Sequence, residues 1–265
     1  MTIHEYGDRD RPHVLLIHGM WMCHEMMLPF VEGFQAKYHI IAPDLTGHGE
    51  DRGLFLSAKH EAEQIGKWLM DNGIREIDLM FSSSLGGVVA MYLVALARDI
   101  RVNCSVMEGA SLTRVRGAQK VFYWMLKGMR DHPERLKKKY SVVPLMDAPL
   151  MDRLFEAMKR TDDESLRNMV TTCNSFDFEH CPLHAKAQKG LFFEFGSRDS
   201  HIVCRYDIKR FYPNASLTVR KGYGHCTYMF EHVKEYPAIL REYMRKAEVS
   251  ICENEEEGSK SGLEG

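Results

Sequence analysis

The stretch Ile77-Asp78-Leu79-Met80-Phe81-Ser82-Ser83-Ser84-Leu85-Gly86-Gly87-Val88-Val89-Ala90 sets a short apolar run against three serines, two glycines and a helical apolar pattern. It reads as a buried strand, a sharp turn and a helix, with a serine at the apex. Such an apex holds its residue in a strained backbone conformation, so the residues two before and two after it must be small. Ser84 alone meets that demand, between Ser82 and Gly86; Ser83 would have Leu85 two places on, and Ser82 would have Met80 two places back. A Ser/Gly-rich helix entry also suits a phosphate cradle or a turn with no chemistry.

Working outward, His13-Val14-Leu15-Leu16-Ile17-His18-Gly19 is an unbroken apolar run of the kind buried on both faces of a parallel sheet, with room before it for one short strand at 2–6. Helical spacing over 25–38 leads into a second buried strand at 39–44, and a helix over 58–71 stops at Asn72-Gly73. The apex strand and its helix, about 84–98, come next, then a strand over 102–107 ending at Glu108-Gly109. Strands return at 191–196 and 215–220, with helices over 204–211 and 227–246. This alternation predicts an α/β fold, a mostly parallel central sheet flanked by helices. Between 111 and 189 the strand-like runs vanish, and helical patterns are expected over 115–129, 133–140, 149–159 and 164–173. Their apolar residues, among them Phe122, Trp124, Met146 and Phe155, exceed what short helices need to hold together. Within this region His180-Cys181-Pro182-Leu183-His184 has metal-ligand spacing, but a triplet with an internal proline and no second cluster reads as a loop, and no metal is assigned.

Ser82-x-Ser84-x-Gly86 resembles the nucleophile elbow of the α/β-hydrolase family, departing from it at Ser82, where the family more often has glycine. The resemblance extends over nearly the whole chain up to about the last dozen residues. Asp44-Leu45-Thr46-Gly47-His48-Gly49 is similar to the family's Asp-x-x-Gly-His-Gly turn, Gly196-Ser197-Arg198-Asp199 to its acid-bearing turn, and Gly224-His225 to its histidine turn. The resemblance implies a hydrolase core over 1–110 and 190–250 and a helical lid over 111–189. It implies Ser84, Asp199 and His225 as the catalytic set, in the family's order, with the backbone N–H groups of Met20 and Leu85 as the oxyanion hole. His18 then braces the loop after its strand, and His48 is structural. Trp21 is expected at the substrate pocket, as are Trp124 and Phe155 from the lid. Glu108 is a polar pocket residue or a second candidate acid; Asp199 is preferred because its turn matches in spacing as well as position.

The activity so implied is a serine hydrolase cleaving small to medium apolar carboxylic esters through an acyl-enzyme, with no cofactor. Thioester or carbon–carbon bond hydrolysis is the alternative chemistry, and a ligand sensor retaining the triad is the alternative of another class. Composition narrows the partners. With 265 residues, 45% hydrophobic, a net charge of -2 and no long basic run, the chain has no footprint for nucleic acid, and a small-molecule substrate is expected. Neither a signal peptide nor a membrane-spanning run is seen, so a cytoplasmic protein without membrane insertion is expected. Oligomeric state is not legible. Seven scattered cysteines without a Cys-x-x-Cys pair read as reduced packing residues. The acidic, Gly/Ser-rich tail at 253–265 is expected to be disordered.

Overall fold

Strand β1 (Thr2–Tyr6) is followed by β2 (His13–Ile17), β3 (His39–Asp44), β4 (Glu76–Ile77), β5 (Leu79–Ser83), β6 (Arg101–Val102), β7 (Ser105–Glu108), β8 (Leu191–Gly196) and β9 (Ser216–Arg220). Along the central strands successive side chains leave opposite faces, so two cores form. Leu15 and Ile17 of β2, Ile41 of β3 and Met80 of β5 enter one apolar cluster; Val14, Leu16, Ile40, Ala42, Leu79 and Phe81 enter the other. A strand buried on both faces needs apolar residues at every position, which explains the unbroken runs in the sequence.

The computed structural model describes residues 1–114, 117–134 and 148–261. Among them a seven-stranded sheet runs in the order β1-β3-β2-β5-β7-β8-β9, with β4 and β6 forming a separate short pair. β1 is antiparallel to β3, and the other neighbours in the large sheet are parallel. Chain order reverses beside β2 and β5, the place where open α/β sheets leave a crevice at their C-terminal edge.

Helices α1 (Ala58–Asp71) and α2 (Leu85–Leu96) pack together against one face. The side chain of Ser57 starts α1 by accepting the His60 N–H at 3.1 Å, a cap of about 1 kcal/mol. Between β7 and β8 run α3 (Ala118–Asp131), α4 (Ala148–Arg160), α5 (Asp163–Thr172) and α6 (Ala185–Lys189), with α3 packed on α4 and α5. Then come α7 (Arg205–Phe211), α8 (Thr227–Glu231) and α9 (Tyr236–Ser261), the last covering the second face through Tyr236, Leu240 and Tyr243.

Several elements differ from expectation. The segment 25–38 is a chain of 3₁₀ turns, at His24–Met26, Leu28–Val31 and Phe34–Ala36, because Pro29 denies a donor and Gly33 takes φ +78°. Helices α8 and α9 replace the single expected final helix, and Pro237 stands in the first turn of α9, where proline is tolerated. Residues 253–261, expected to be disordered, continue α9. Glutamate and lysine are good helix formers, and extending a formed helix is far easier than starting one. The expected helix at 133–140 falls largely outside the described residues, as do Val115 and Met146. Cys23, Cys104, Cys173, Cys181, Cys204 and Cys226 are all free thiols buried in the structure.

Candidate active site

Ser84 caps α2 at φ 51°, ψ -115°, a conformation most side chains avoid. Its backbone is clamped: the Ser84 N–H donates to the Glu108 carbonyl at 2.9 Å, and the N–H groups of Gly87 and Ser111 donate to the Ser84 carbonyl at 3.0 and 3.3 Å. The small residue two places on has a measurable cause. A Cβ at Gly86 would lie 2.3 Å from the Ile17 carbonyl oxygen and 2.5 Å from that of His18, so α2 can approach β2 only without a side chain there.

Three strand ends bring side chains to this apex. His225 Nε2 stands 2.8 Å from Ser84 Oγ, and His225 Nδ1 stands 2.9 Å from Asp199 Oδ2. The Asp199 side chain is fully buried, whereas His225 keeps 37% of its side chain open to solvent. Burial works against the Asp199 charge, but the hydrogen bond and charge of His225 and the His201 N–H outweigh it and hold the carboxyl below the usual range. For His225, burial lowers the pKa, and the hydrogen bond and charge of Asp199 raise it. Burial pushes the Cys226 thiol up as well, so the negative charge facing the imidazole is that of Asp199. A hydroxyl, an imidazole and a buried carboxylate in this line can activate the hydroxyl as a nucleophile.

Leu85 opens α2, where an N–H has no helical acceptor, and no backbone acceptor takes the N–H of Leu85 or Met20 among the described residues. Met20 follows Gly19, whose Cβ position is 3.3 Å from Ser84 Cβ. His18 binds its own loop, with Nδ1 2.8 Å from the Gly19 carbonyl and Nε2 accepting the Leu45 N–H at 3.1 Å. His48 is buried with Nδ1 on the Thr46 carbonyl, and burial pushes its pKa down to about 3.

The expected pocket residues fare unevenly. Trp21 is buried, donates from Nε1 to Thr161 Oγ1 at 3.1 Å, and borders a cleft of about 290 Å³ with His24, Arg153 and Arg160. Phe155 is half-buried against the second core cluster. Trp124 is 67% exposed on α3, while Tyr123 and Leu126 pack against the second core cluster. Glu108 is corrected. Its carboxyl is wholly buried, accepts the Tyr236 hydroxyl at 2.8 Å, and lies in register with Glu194, which Arg220 and the hydroxyl of Tyr243 also reach. Among the described residues the carboxylate bonded to His225 is that of Asp199, and Glu108 bonds Tyr236 instead.

Sequence reasoning missed His201, whose ring centroid is 4.9 Å from that of His225 and which belongs to no motif. Phe122, whose ring stacks on His201, was named only among the surplus apolar residues of 111–189. Sequence reasoning also missed His4, His24 and Asp44, whose donor atoms converge as a metal set would among the described residues. The two imidazoles stack with centroids 3.5 Å apart and planes 14° apart, so the two ring planes do not meet within ligand distance of both rings. The Asp44 oxygens meanwhile accept the N–H groups of His24 and Glu50 and face both rings. The group fits bracing of β1 and the 3₁₀ turns better than ligation. His180 and His184 are used separately, the first on Asp177 and the second capping α6.

Comparison with known proteins adds a family, a relative and two solved structures. The profile of the family described as the alpha/beta hydrolase family matches residues 14–238. Over 131 residues the chain is 30% identical to the magnesium-chelatase 30 kDa subunit of Rhodobacter capsulatus, covering 48% of this chain and 45% of that protein. The match therefore spans less than half of that relative. The fold is similar to that of a thermophilic esterase from Thermogutta terrifontis, with a TM-score of 0.68 and 17% identity over 93% of each chain. It is equally similar to the enol-lactonase from Burkholderia xenovorans, with a TM-score of 0.69 and 13% identity over 92% of this chain and 96% of that one. At such identities the structural likeness speaks for the fold alone. No helix among the described residues is long and apolar enough to cross a membrane.

Proposed function

The chain belongs to the alpha/beta hydrolase family, and from that premise we propose that it is a serine hydrolase cleaving small to medium apolar carboxylic esters. One observation carries the reading: a line of hydrogen bonds from Ser84 Oγ through both nitrogens of His225 to the buried Asp199. Ser84 Oγ attacks the ester carbonyl carbon and its proton passes to His225 Nε2. Asp199 holds the Nδ1–H tautomer and stabilises the imidazolium. The tetrahedral oxyanion takes the N–H groups of Leu85 and Met20, each worth about 3 kcal/mol of barrier in comparable sites. His225 then protonates the departing alcohol, and in the second half it deprotonates the water that releases the acid and frees Ser84.

Residues 111–189 serve in this reading as a lid that shapes the acyl pocket, supported by Phe122 of α3 reaching the His201 ring beside His225. The test is turnover of chromogenic esters of increasing acyl length, together with labelling by a fluorophosphonate. Ser84→Ala should lose labelling and turnover with the fold intact, and Asp199→Asn should lower turnover by about 10⁴. Labelling that persists in Ser84→Ala would falsify the assignment.

A further inference from the structure

His225 is held at its two ends, by Ser84 Oγ on Nε2 and by Asp199 on Nδ1. The bond from Cγ to Cβ and the two hydrogen bonds set the plane of the ring, but rotation about Cα–Cβ and Cβ–Cγ can carry it away from both partners, so contacts with the ring decide how firmly it stays in line. One such contact is the backbone of Gly109, where a Cβ would lie 3.1 Å from His225 Cε1 and Nδ1. The other is His201, two residues beyond Asp199 in the 3₁₀ turn Ser200–Cys204. Its ring meets that of His225 at a centroid distance of 4.9 Å and an inclination of 47°. Its main-chain N–H donates to Asp199 Oδ1 at 2.8 Å, so a single residue touches both the acid and the base.

The His201 ring also stacks on Phe122 of α3, with centroids 5.9 Å apart and planes 29° apart. Its Nδ1 is buried without a hydrogen-bond partner among the described residues, so no polar contact there explains a histidine at this place. Burial and the neighbouring His225 push its pKa down to about 4, which leaves an uncharged ring at neutral pH. Such a ring covers His225 without repelling the imidazolium that the reaction forms there.

We propose that His201 is a positioning residue: its ring restrains the side-chain rotamer of His225 that aligns Nε2 with Ser84 and Nδ1 with Asp199, and links that orientation to α3 through Phe122. The proposal rests on the reading of Ser84, His225 and Asp199 as the reacting set. A small misplacement of a catalytic group can cost up to about a hundredfold in rate. His201→Ala should therefore slow fluorophosphonate labelling of Ser84 and ester kcat by about tenfold or more, with KM little changed. His201→Phe keeps a flat ring and should stay within about threefold of wild type. Because Phe122 acts through the same contact, adding Phe122→Ala to His201→Ala should cost little beyond His201→Ala alone.

Wild-type rates in His201→Ala, a His201→Phe variant as slow as His201→Ala, or fully additive losses in the double variant each overturn the proposal. A readout independent of turnover is built in, since the hydrogen-bonded Nδ1 proton of His225 gives a low-field NMR resonance whether or not any ester is cleaved. That resonance should be present in wild type and His201→Phe and broadened by exchange in His201→Ala; equal sharpness in all three overturns the proposal. A wild type that the fluorophosphonate fails to label, yet whose resonance responds to His201 in this way, refutes the hydrolase reading and leaves the positioning contact standing.

Discussion

Ser82 occupies the place two before the apex, where a larger side chain would collide, and it is fully buried. Its hydroxyl has no hydrogen-bond partner among the described residues. An unpaired buried polar group costs about 1–3 kcal/mol, and removing the oxygen while keeping Cβ removes that cost. Ser82→Ala is therefore expected to raise stability by about 1 kcal/mol, read from the denaturant midpoint at unchanged slope. A lower midpoint would mean that the hydroxyl is bonded in solution. Ser84 was legible from sequence because its requirement is local: two small neighbours at fixed distances. His201 was not, since its closeness to His225 depends on how the turns after β8 and β9 fold over one another, and no spacing along the chain records that.

The junction of α2 with β2 leaves no room for a side chain at Gly86. Gly86→Ala would drive a methyl into two carbonyl oxygens that cannot move without breaking β2 from its neighbours. A loss of at least about 3 kcal/mol is expected, or failure to fold, measured by chemical denaturation. A loss under about 1 kcal/mol would show that α2 can slide along the sheet. Elements with a single structural demand were readable: β2, β3 and β5 carry apolar residues on both faces, and α1 has its Asn-Gly stop. The 3₁₀ turns over 24–36 were not, because Met26, Met27, Phe30 and Phe34 keep a helical apolar spacing while Pro29 and Gly33 interrupt the backbone. The inward face of α3 was equally hidden. Val121, Trp124 and Met125 are as apolar as Phe122, Tyr123 and Leu126, yet the first three are exposed.

Across the molecule, an ionisable group buried between the second core and the sheet gives folding a pH dependence separate from catalysis. Burial first, and then the charge of Glu194, raise the Glu108 pKa well above the ordinary carboxylate value; the Tyr236 hydrogen bond and Arg220 oppose this only in part. Because the folded value lies above the unfolded one, the contribution is fully present below about pH 4.3 and is lost as pH rises through the folded value. Glu108→Gln cannot ionise, so its thermal midpoint should fall less than that of the parent between pH 5 and pH 8 and lie above it at pH 8. Parallel pH profiles for the two proteins would show that Glu108 keeps an ordinary pKa.

The buried thiols have a consequence of a different sort. Burial pushes the Cys23 thiol up to about 11 and the Cys173 and Cys204 thiols up to about 12, so each is withheld from reagents both by coverage and by its retained proton. A reagent that captures one of them is timing an excursion of the backbone around it. Cys104 beneath the start of β7, Cys173 at the end of α5 and Cys226 beside His225 thus act as native clocks in three different regions. Their relative rates of capture would rank which part of the fold breathes first, with no label added to the chain.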